Sequence, residues 1–261
     1  REMYPKLLKY HKWWYAKRDH DKNHICEFGS VDGTLVAAAW ESGMDNAIRF
    51  DGTKMLQNGP DAWSTDQESV DLNAYLSLEY TLLKKFAALL DEPFLLPDYR
   101  SMVADYFFDK KDGFFYDRRM NATRDFVREA GCEGYIPFWA NIATKEQFAK
   151  ARKLLDNKKK FSTYIPFPTI AADNPKYDPK GYWRGPIWLD QTYYGIKGYR
   201  NYGEGKKADA YTDQVFRNIE GLTEGAPIYE NYDTHTGKPM QASHFSWSAA
   251  CLLMLYNDYG K

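Results

Sequence analysis

The sequence predicts an all-α fold, a mainly helical domain built from helical hairpins. Apolar residues recur at three- and four-residue steps along much of the chain, whereas strand signals are few. The alternation of strands and helices that is typical of Rossmann and TIM-barrel folds is absent. With 261 residues, of which 44% are hydrophobic and 27% charged, the chain is long enough to bury a sizeable core.

The predicted helices follow one another with short connections. The opening helix places Tyr4, Leu8, His11 and Trp14 on one face, and His11 is interpreted as a hydrogen-bonded core histidine. A long helix is predicted over residues 70–90, and shorter ones over residues 99–108, 146–155, 187–202, 206–222 and 245–256. A small hairpin is predicted at residues 113–116. Residues 161–186 hold five prolines and no helical pattern, which predicts a long, ordered loop.

The charge balance argues against a nucleic-acid or membrane partner. The chain has 35 basic and 36 acidic residues, for a net charge of -1. Its mean hydropathy is -0.67, and no apolar run approaches the roughly 20 residues that a membrane span requires. The cysteines Cys26, Cys132 and Cys251 are scattered, which predicts buried thiols and not disulfides or a zinc site. The chain opens on Arg1 without a signal-peptide pattern. We therefore expect the chain to be a piece of a longer protein. The sequence does not indicate its compartment, and the periplasm of a bacterium or secretion from it are among the options.

Aromatic residues make up 17% of the chain, and many of them lie beside glycine and proline outside the helical stripes. Sugar-binding clefts need flat apolar faces with polar edges, which Trp and Tyr side chains supply. An aromatic-rich core would produce the same composition. Both interpretations stay open on composition alone.

Oxygen-bearing side chains alternate after the first helix in a pattern that resembles part of a calcium loop. Asp19, Asp21 and Asn23 are followed by Ile25, which could offer its carbonyl, and by Glu27. A further carboxylate could come from Glu79, which lies on the apolar stripe of the 70–90 helix. A carboxylate that points into a core needs a cation, an arginine or a proton to compensate its charge. A solvated turn and a Glu79 paired with an arginine or a lysine are the alternative.

Two carboxylates have surroundings suited to acid–base chemistry. Asp45 follows a glycine turn between Trp40 and Phe50, and apolar neighbours raise a carboxyl pKa, as a general acid requires. Glu41 could be the acid instead, or both could cap a helix. Glu230 lies among tyrosines and an asparagine, whose hydrogen bonds would keep it ionised and ready to activate water. No serine-hydrolase elbow, phosphate-binding loop or HExxH motif competes.

Four motifs carry a family resemblance. ESGMDN at residues 41–46, YWRGPIW at 182–188, ENYDTHTG at 230–237 and FSWSAA at 245–250 occur in one order over most of the chain. Together they resemble glycoside hydrolase family 63, the processing α-glucosidase I family with its bacterial relatives. The trehalases of family 37 share the first and third motifs but have aromatic residues where this chain has Asn46, so they rank second.

The resemblance implies an (α/α)6 toroid and an exo-acting, inverting hydrolysis of terminal α-glucosidic bonds of oligosaccharides. It implies that Asp45 is the general acid and Glu230 the general base. The substrate cleft is expected to involve Trp40, Glu41, Gly43, Phe50, Trp183, Arg184, Gly185, Trp188, Tyr232, Phe245 and Trp247. Bacterial members also carry a structural Ca²⁺ site that is similar to the set Asp19, Asp21, Asn23, Ile25, Glu27 and Glu79.

Two departures from the family limit these expectations. Twelve residues separate Glu27 from Trp40, where family members can carry an inserted region that shapes the leaving-group side. The roughly eight predicted helices are too few for a full toroid. We therefore expect residues 1–261 to be the C-terminal portion of one catalytic domain, with the N-terminal helices supplied by a second chain or by self-association.

Two other functions stay open. One is a trehalase-like α,α-glucosidase. The other is a carbohydrate-binding toroid fragment that holds sugar through Trp183, Trp188 and Trp247 without hydrolysing it.

Overall fold

The computed structural model describes residues 1–261, which form nine α-helices and eight short strands. The helices are α1 (Tyr4–Lys17), α2 (Leu35–Glu41), α3 (Val70–Leu90), α4 (Arg100–Phe107), α5 (Ile136–Trp139), α6 (Lys145–Leu155), α7 (Leu189–Asn201), α8 (Gly205–Asn218) and α9 (Ser246–Asp258). Single 3-10 turns lie at Ile48–Phe50 and Cys132–Tyr135. The predicted helices are confirmed, with ends that shift by at most four residues.

Local sequence explains several helix boundaries. The α6 helix begins at a capping box, in which Thr144 and Gln147 each accept a hydrogen bond from the other's backbone N–H. The α3 helix ends where Asp91 adopts a left-handed conformation, with φ at 57°. Pro5 lies in the first turn of α1, where its missing N–H costs nothing.

The sequence did not predict the main β-sheet. The strands are β1 (Glu27–Ser30), β2 (Met55–Gly59), β3 (Ala62–Glu68), β4 (Phe108–Asp109), β5 (Phe114–Phe115), β6 (Arg118–Arg119), β7 (Tyr229–Tyr232) and β8 (Pro239–Ser243). In the four-stranded sheet, β3 pairs with β1, β2 and β6, whereas β4 with β5 and β7 with β8 form separate hairpins. The all-α class is therefore too simple. The β3 strand buries Ser64, Thr65, Gln67 and Glu68, so it lacks the apolar alternation by which strands are detected.

The main helices pack in chain order and form what we call the helical row. The α1 helix packs on α3, α3 on α5, α5 on α7 and α7 on α9, while α4 lies against α3 and α8 against α7. Tyr10 on α1 and Tyr256 on α9 are 54% and 70% exposed. Apolar surface is thus open to solvent towards both ends of the row.

The proline-rich segment 161–186 is irregular but well packed, as predicted. Phe161, Ile165, Phe167 and Ile170 are buried in it. Gly195 of α7 lies so close to the Phe167 ring that an added Cβ would stand 2.6 Å from a ring carbon. All three cysteines are buried and free, which confirms their predicted role as core thiols. No helix here is both long enough and apolar enough for a bilayer crossing.

Candidate active site

Asp45 lies in the turn that follows α2. Gly43 makes this turn possible by adopting φ at 74°, and Thr34 caps the start of α2 by accepting a hydrogen bond from Ala37 N. Asp45 itself is half-buried above the buried side chain of Met44. Burial raises the pKa of Asp45, and the charge of Glu230 raises this pKa further. The two carboxyl groups are therefore close enough to interact electrostatically.

Glu41, the alternative acid, is occupied elsewhere. Its carboxylate forms a bidentate pair with Arg18, with N–O distances of 2.7 to 3.1 Å, and accepts a hydrogen bond of 2.6 Å from Gly29 N. This pair ties α2 to the end of α1 and to β1. Among the two carboxyls of the motif, Asp45 is the one whose environment suits proton donation.

Glu230 lies on β7 at a β-bulge, because the register of the β7–β8 hairpin shifts between Tyr229 and Asn231. Its Oε1 accepts a hydrogen bond of 2.7 Å from the Tyr182 hydroxyl, and its Oε2 accepts one of 3.3 Å from Ala242 N. Hydrogen bonds donated to a carboxylate stabilise its negative charge. The sequence predicts tyrosine partners for Glu230 among its neighbours in the chain. The tyrosine that bonds it is instead Tyr182, which the sequence analysis did not identify.

Five of the eleven predicted cleft residues are buried. The Trp183 and Trp188 rings stack at 4.0 Å, and each residue is only 2% exposed. Gly185, Phe50 and Tyr232 are also buried. In this structure these five residues pack in the interior, and their contact with substrate stays a prediction.

The remaining cleft residues offer accessible surface. Trp40 and Trp247 are exposed, Phe245 is half-buried between Trp247 and Trp188, and Gly43 has open space around it. Arg184 is engaged instead. Its guanidinium pairs with both carboxylate oxygens of Asp51, at 2.9 and 3.0 Å.

Asp19, Asp21 and Glu27 bring their carboxylate oxygens within 4.8 Å of one another. Glu27 is fully buried, and its Oε1 has no hydrogen-bond partner. Burial raises the pKa of both Glu27 and Asp19, and neighbouring carboxylates add to each shift. An unpartnered buried oxygen among clustered carboxylates fits a hard cation such as Ca²⁺.

The structure does not bring Glu79 to this cluster. Its Oε2 lies 2.7 Å from Nδ1 of the buried His11, which confirms His11 as a hydrogen-bonded core histidine. The carboxylate that reaches the loop is Glu68, whose Oε1 accepts a hydrogen bond of 2.6 Å from Asn23 Nδ2. Glu68 stands there because the β1–β3 register pairs it with Glu27. No pattern near Glu68 in the sequence signals this role.

The rest of the loop is held by local hydrogen bonds. The Oδ1 of Asn23 accepts a bond of 2.8 Å from Ile25 N, and Ile25 itself is buried. Arg124 pairs with Glu68 at 3.0 Å and also with Asp21. One arginine therefore offsets part of the negative charge in this cluster.

Comparison with known proteins gives consistent matches. Residues 1–248 match the family described as "Mannosylglycerate hydrolase MGH1-like glycoside hydrolase domain". The chain is 26% identical to mannosylglycerate hydrolase MGH1 of Selaginella moellendorffii, over 98% of this chain and 60% of that protein. It is 36% identical to a mannosylglycerate hydrolase of Rubrobacter radiotolerans, over 97% of this chain and 66% of that protein.

The fold matches that of a solved structure. The crystal structure of a GH63 mannosylglycerate hydrolase from Thermus thermophilus in complex with glucose superposes with a TM-score of 0.77 at 21% identity, over 98% of this chain and 68% of that one. The chain thus spans 60 to 68% of the length of these similar proteins. The alignment with the Selaginella protein covers 313 positions, more than this chain contains, so that relative carries additional residues inside the matched region.

Proposed function

The chain belongs to the family of MGH1-like glycoside hydrolase domains, and we propose that it hydrolyses a terminal α-glycosidic bond with inversion of configuration. Its membership confirms the resemblance to glycoside hydrolase family 63. The observation that carries the proposal is the contrast between the surroundings of Asp45 and those of Glu230. The Asp45 carboxyl has a raised pKa, and the Glu230 carboxylate accepts two hydrogen bonds.

The proposed reaction assigns one proton transfer to each carboxyl group. Asp45, protonated, gives its proton to the glycosidic oxygen as the bond from that oxygen to the anomeric carbon breaks. Glu230, ionised, takes a proton from the water that attacks the anomeric carbon from the opposite face. An inverting enzyme needs about 6.5 to 9.5 Å between the carboxyl groups to admit this water.

We propose a small α-linked hexoside of glycerate as the substrate, because similar proteins from a plant and from bacteria are named mannosylglycerate hydrolases. Terminal α-glucosidic bonds of oligosaccharides are the second candidate, favoured by the four family 63 motifs. In both cases the hexose occupies the same place beside Asp45 and Glu230. The leaving group is what distinguishes the two.

The test is an assay with α-mannosylglycerate, α-glucosylglycerate, an α-glucosyl disaccharide and trehalose, followed by proton NMR. We expect the hexose released from either glycerate conjugate to appear first as the β-anomer, whereas inverting hydrolysis of trehalose releases one β-glucose and one α-glucose. Asp45→Asn and Glu230→Gln should each lower kcat by about 10² to 10⁴, because each removes one acid or base step. Glu224→Gln, at an exposed glutamate, is the matched control. Initial release of the α-anomer from either glycerate conjugate, or full activity in either variant, would contradict the proposal.

We further propose that helices beyond residues 1–261 cover the apolar ends of the helical row. Tyr10 on α1 and Leu253 and Tyr256 on α9 are large hydrophobic residues left exposed there. A longer polypeptide or a second copy could supply these helices. Analytical ultracentrifugation separates a dimer from a monomer.

Sugar binding by the wild-type chain without turnover, unchanged in Asp45→Asn, would instead favour a carbohydrate-binding fragment.

We also propose that Asp19, Asp21 and Glu27 hold a structural Ca²⁺ ion. When bound, the ion would supply charge neutralisation and no reaction chemistry. The proposal rests on the unpartnered Oε1 of Glu27 and on the excess of carboxylates around it.

A further inference from the structure

Tyr182 has a backbone conformation that a bulky residue rarely adopts. Its φ is 63°, in the left-handed region. Such a conformation persists only where surrounding contacts hold it, and it is often found at functional sites. The residue lies in the loop between Gly181 and Trp183, opposite the turn that carries Asp45.

The side chain of Asn46 bonds both peptide groups that flank Tyr182. Its Nδ2 donates to the Gly181 carbonyl at 3.0 Å, and its Oδ1 accepts from Trp183 N at 3.0 Å. The Tyr182 carbonyl accepts a third bond, of 3.0 Å, from Trp188 Nε1. An amide that donates and accepts at once fixes the orientation of both neighbours of Tyr182.

The held conformation aims the Tyr182 hydroxyl at Glu230, to which it donates at 2.7 Å. Asn46 directly follows Asp45 in the chain. A continuous path therefore runs from the proposed acid through Asn46 and Tyr182 to the proposed base. Each step of this path is either a covalent bond or a hydrogen bond of 2.7 to 3.0 Å.

We propose that Asn46 is a positioning residue that sets the placement of Glu230 relative to Asp45 by holding Tyr182 in its left-handed conformation. This inference rests on the proposed function for its effect on catalysis. Asn46 is itself exposed, so its replacement should leave the fold intact. Loss of the two amide bonds frees the loop, and a displacement of about 1 Å in a reacting group can cost on the order of 10²-fold in rate.

A double-mutant cycle tests the path. Asn46→Ala and Tyr182→Phe should each lower kcat by about 10- to 100-fold with little change in KM. Because both act through one hydroxyl, the double variant should be no worse than the more impaired single variant. Asn121→Ala, at an exposed loop asparagine, is the control. Multiplying defects in the double variant would overturn the inference, as would full activity of Asn46→Ala.

A second readout does not depend on activity. Hydrogen exchange of the 181–188 segment, followed by mass spectrometry, should become on the order of ten-fold faster in Asn46→Ala and remain near wild type in Tyr182→Phe. Asn46→Asp keeps an acceptor for Trp183 N and should give intermediate exchange. Unchanged exchange in Asn46→Ala would overturn the inference. A wild-type chain that hydrolyses no substrate would defeat the proposed function alone.

Discussion

At the scale of single residues, the buried guanidinium of Arg49 is surrounded by three buried carboxyl groups, those of Asp71, Asp117 and Glu133. Arg49 is 1% exposed and forms two bonds of 2.7 Å with Asp71 and a longer one of 3.3 Å with Asp117. Glu133 lies nearby, with its carboxylate against Gly131. One positive charge cannot balance three negative ones in a buried site. Burial accordingly raises the pKa of Glu133 to about 8, and the Arg49 charge only partly offsets this effect.

Replacing Glu133 by glutamine should change how stability depends on pH. The pKa of Glu133 is about 8 in the folded protein, whereas its ordinary value is 4.5. Between these two pH values the folded state therefore binds more protons than the unfolded state does. Glu133 therefore makes the wild type less stable as the pH rises from about 4.5 to 8. Glu133→Gln, which stays neutral, should gain Tm relative to wild type over this window.

Thermal unfolding at pH 5, 6, 7 and 8 measures this difference. The exposed Glu146 gives a control, because Glu146→Gln should follow the wild-type curve closely except for the loss of its surface pair with Lys150. Parallel curves for Glu133→Gln and wild type would show that Glu133 is ionised in the folded state.

At the scale of elements, the stretch that carries Asp45 is fixed at both ends by an arginine–carboxylate pair. Glu41 binds Arg18 at the end of α1, and Arg49 binds Asp71 in the first turn of α3. Two helices thus hold a short irregular segment. Bidentate pairs fix orientation as well as distance, which is what a positioned proton donor requires.

Removing one partner of the first pair should cost more than removing both. Arg18 is 1% exposed, so Arg18→Met leaves the Glu41 carboxylate without a cation in a mostly buried site and should lower the free energy of unfolding by about 3 to 5 kcal/mol. In Arg18→Met/Glu41→Met the unpaired charge is gone, so part of this loss should be recovered. Urea unfolding measures both changes. A double variant that is less stable than Arg18→Met would mean that packing, and not the unpaired charge, dominates.

At the scale of the whole molecule, the acidic cluster joins parts of the chain that are distant in sequence. Asp19 follows α1, Glu27 begins β1, and Glu68 ends β3. Arg124, in the loop after β6, completes the contacts. A cation at this point would hold the sheet against the first helix of the helical row.

Calcium should therefore stabilise the whole chain. Millimolar Ca²⁺ should raise the Tm by several degrees over the value in EGTA, since a ligand at 100 times its Kd adds about 2.7 kcal/mol. Glu27→Gln should lose this response, because it removes a charged ligand. Glu79→Gln is the matched control and should keep the response, since Glu79 pairs with His11. If Glu79→Gln lost the calcium response and Glu27→Gln kept it, Glu79 would be a calcium ligand, as the sequence predicts.

Helix positions and motifs could be predicted from the sequence because both are local properties. Residues 70–90 carry an apolar stripe at helical spacing, and the α3 helix spans those residues. Asp45 was distinguished by its apolar neighbours in the turn, and burial does raise its pKa. The family motifs were recognisable for the same reason, since each occupies a short, continuous stretch of chain.

Only the tertiary structure decided which distant groups meet. Glu68 lies opposite Glu27 in the register of β3 and β1. The buried residues of β3 are mostly polar, so no apolar periodicity in the sequence predicts this strand pairing. Tyr182 reaches Glu230 across 48 positions of sequence because Asn46 holds its backbone in a left-handed conformation. Trp183 and Trp188 stack as buried supports, although their motif is equally compatible with a sugar-contacting role. Strand pairing and side-chain orientation depend on long-range packing, whereas periodicity records only which residues share a face of one element.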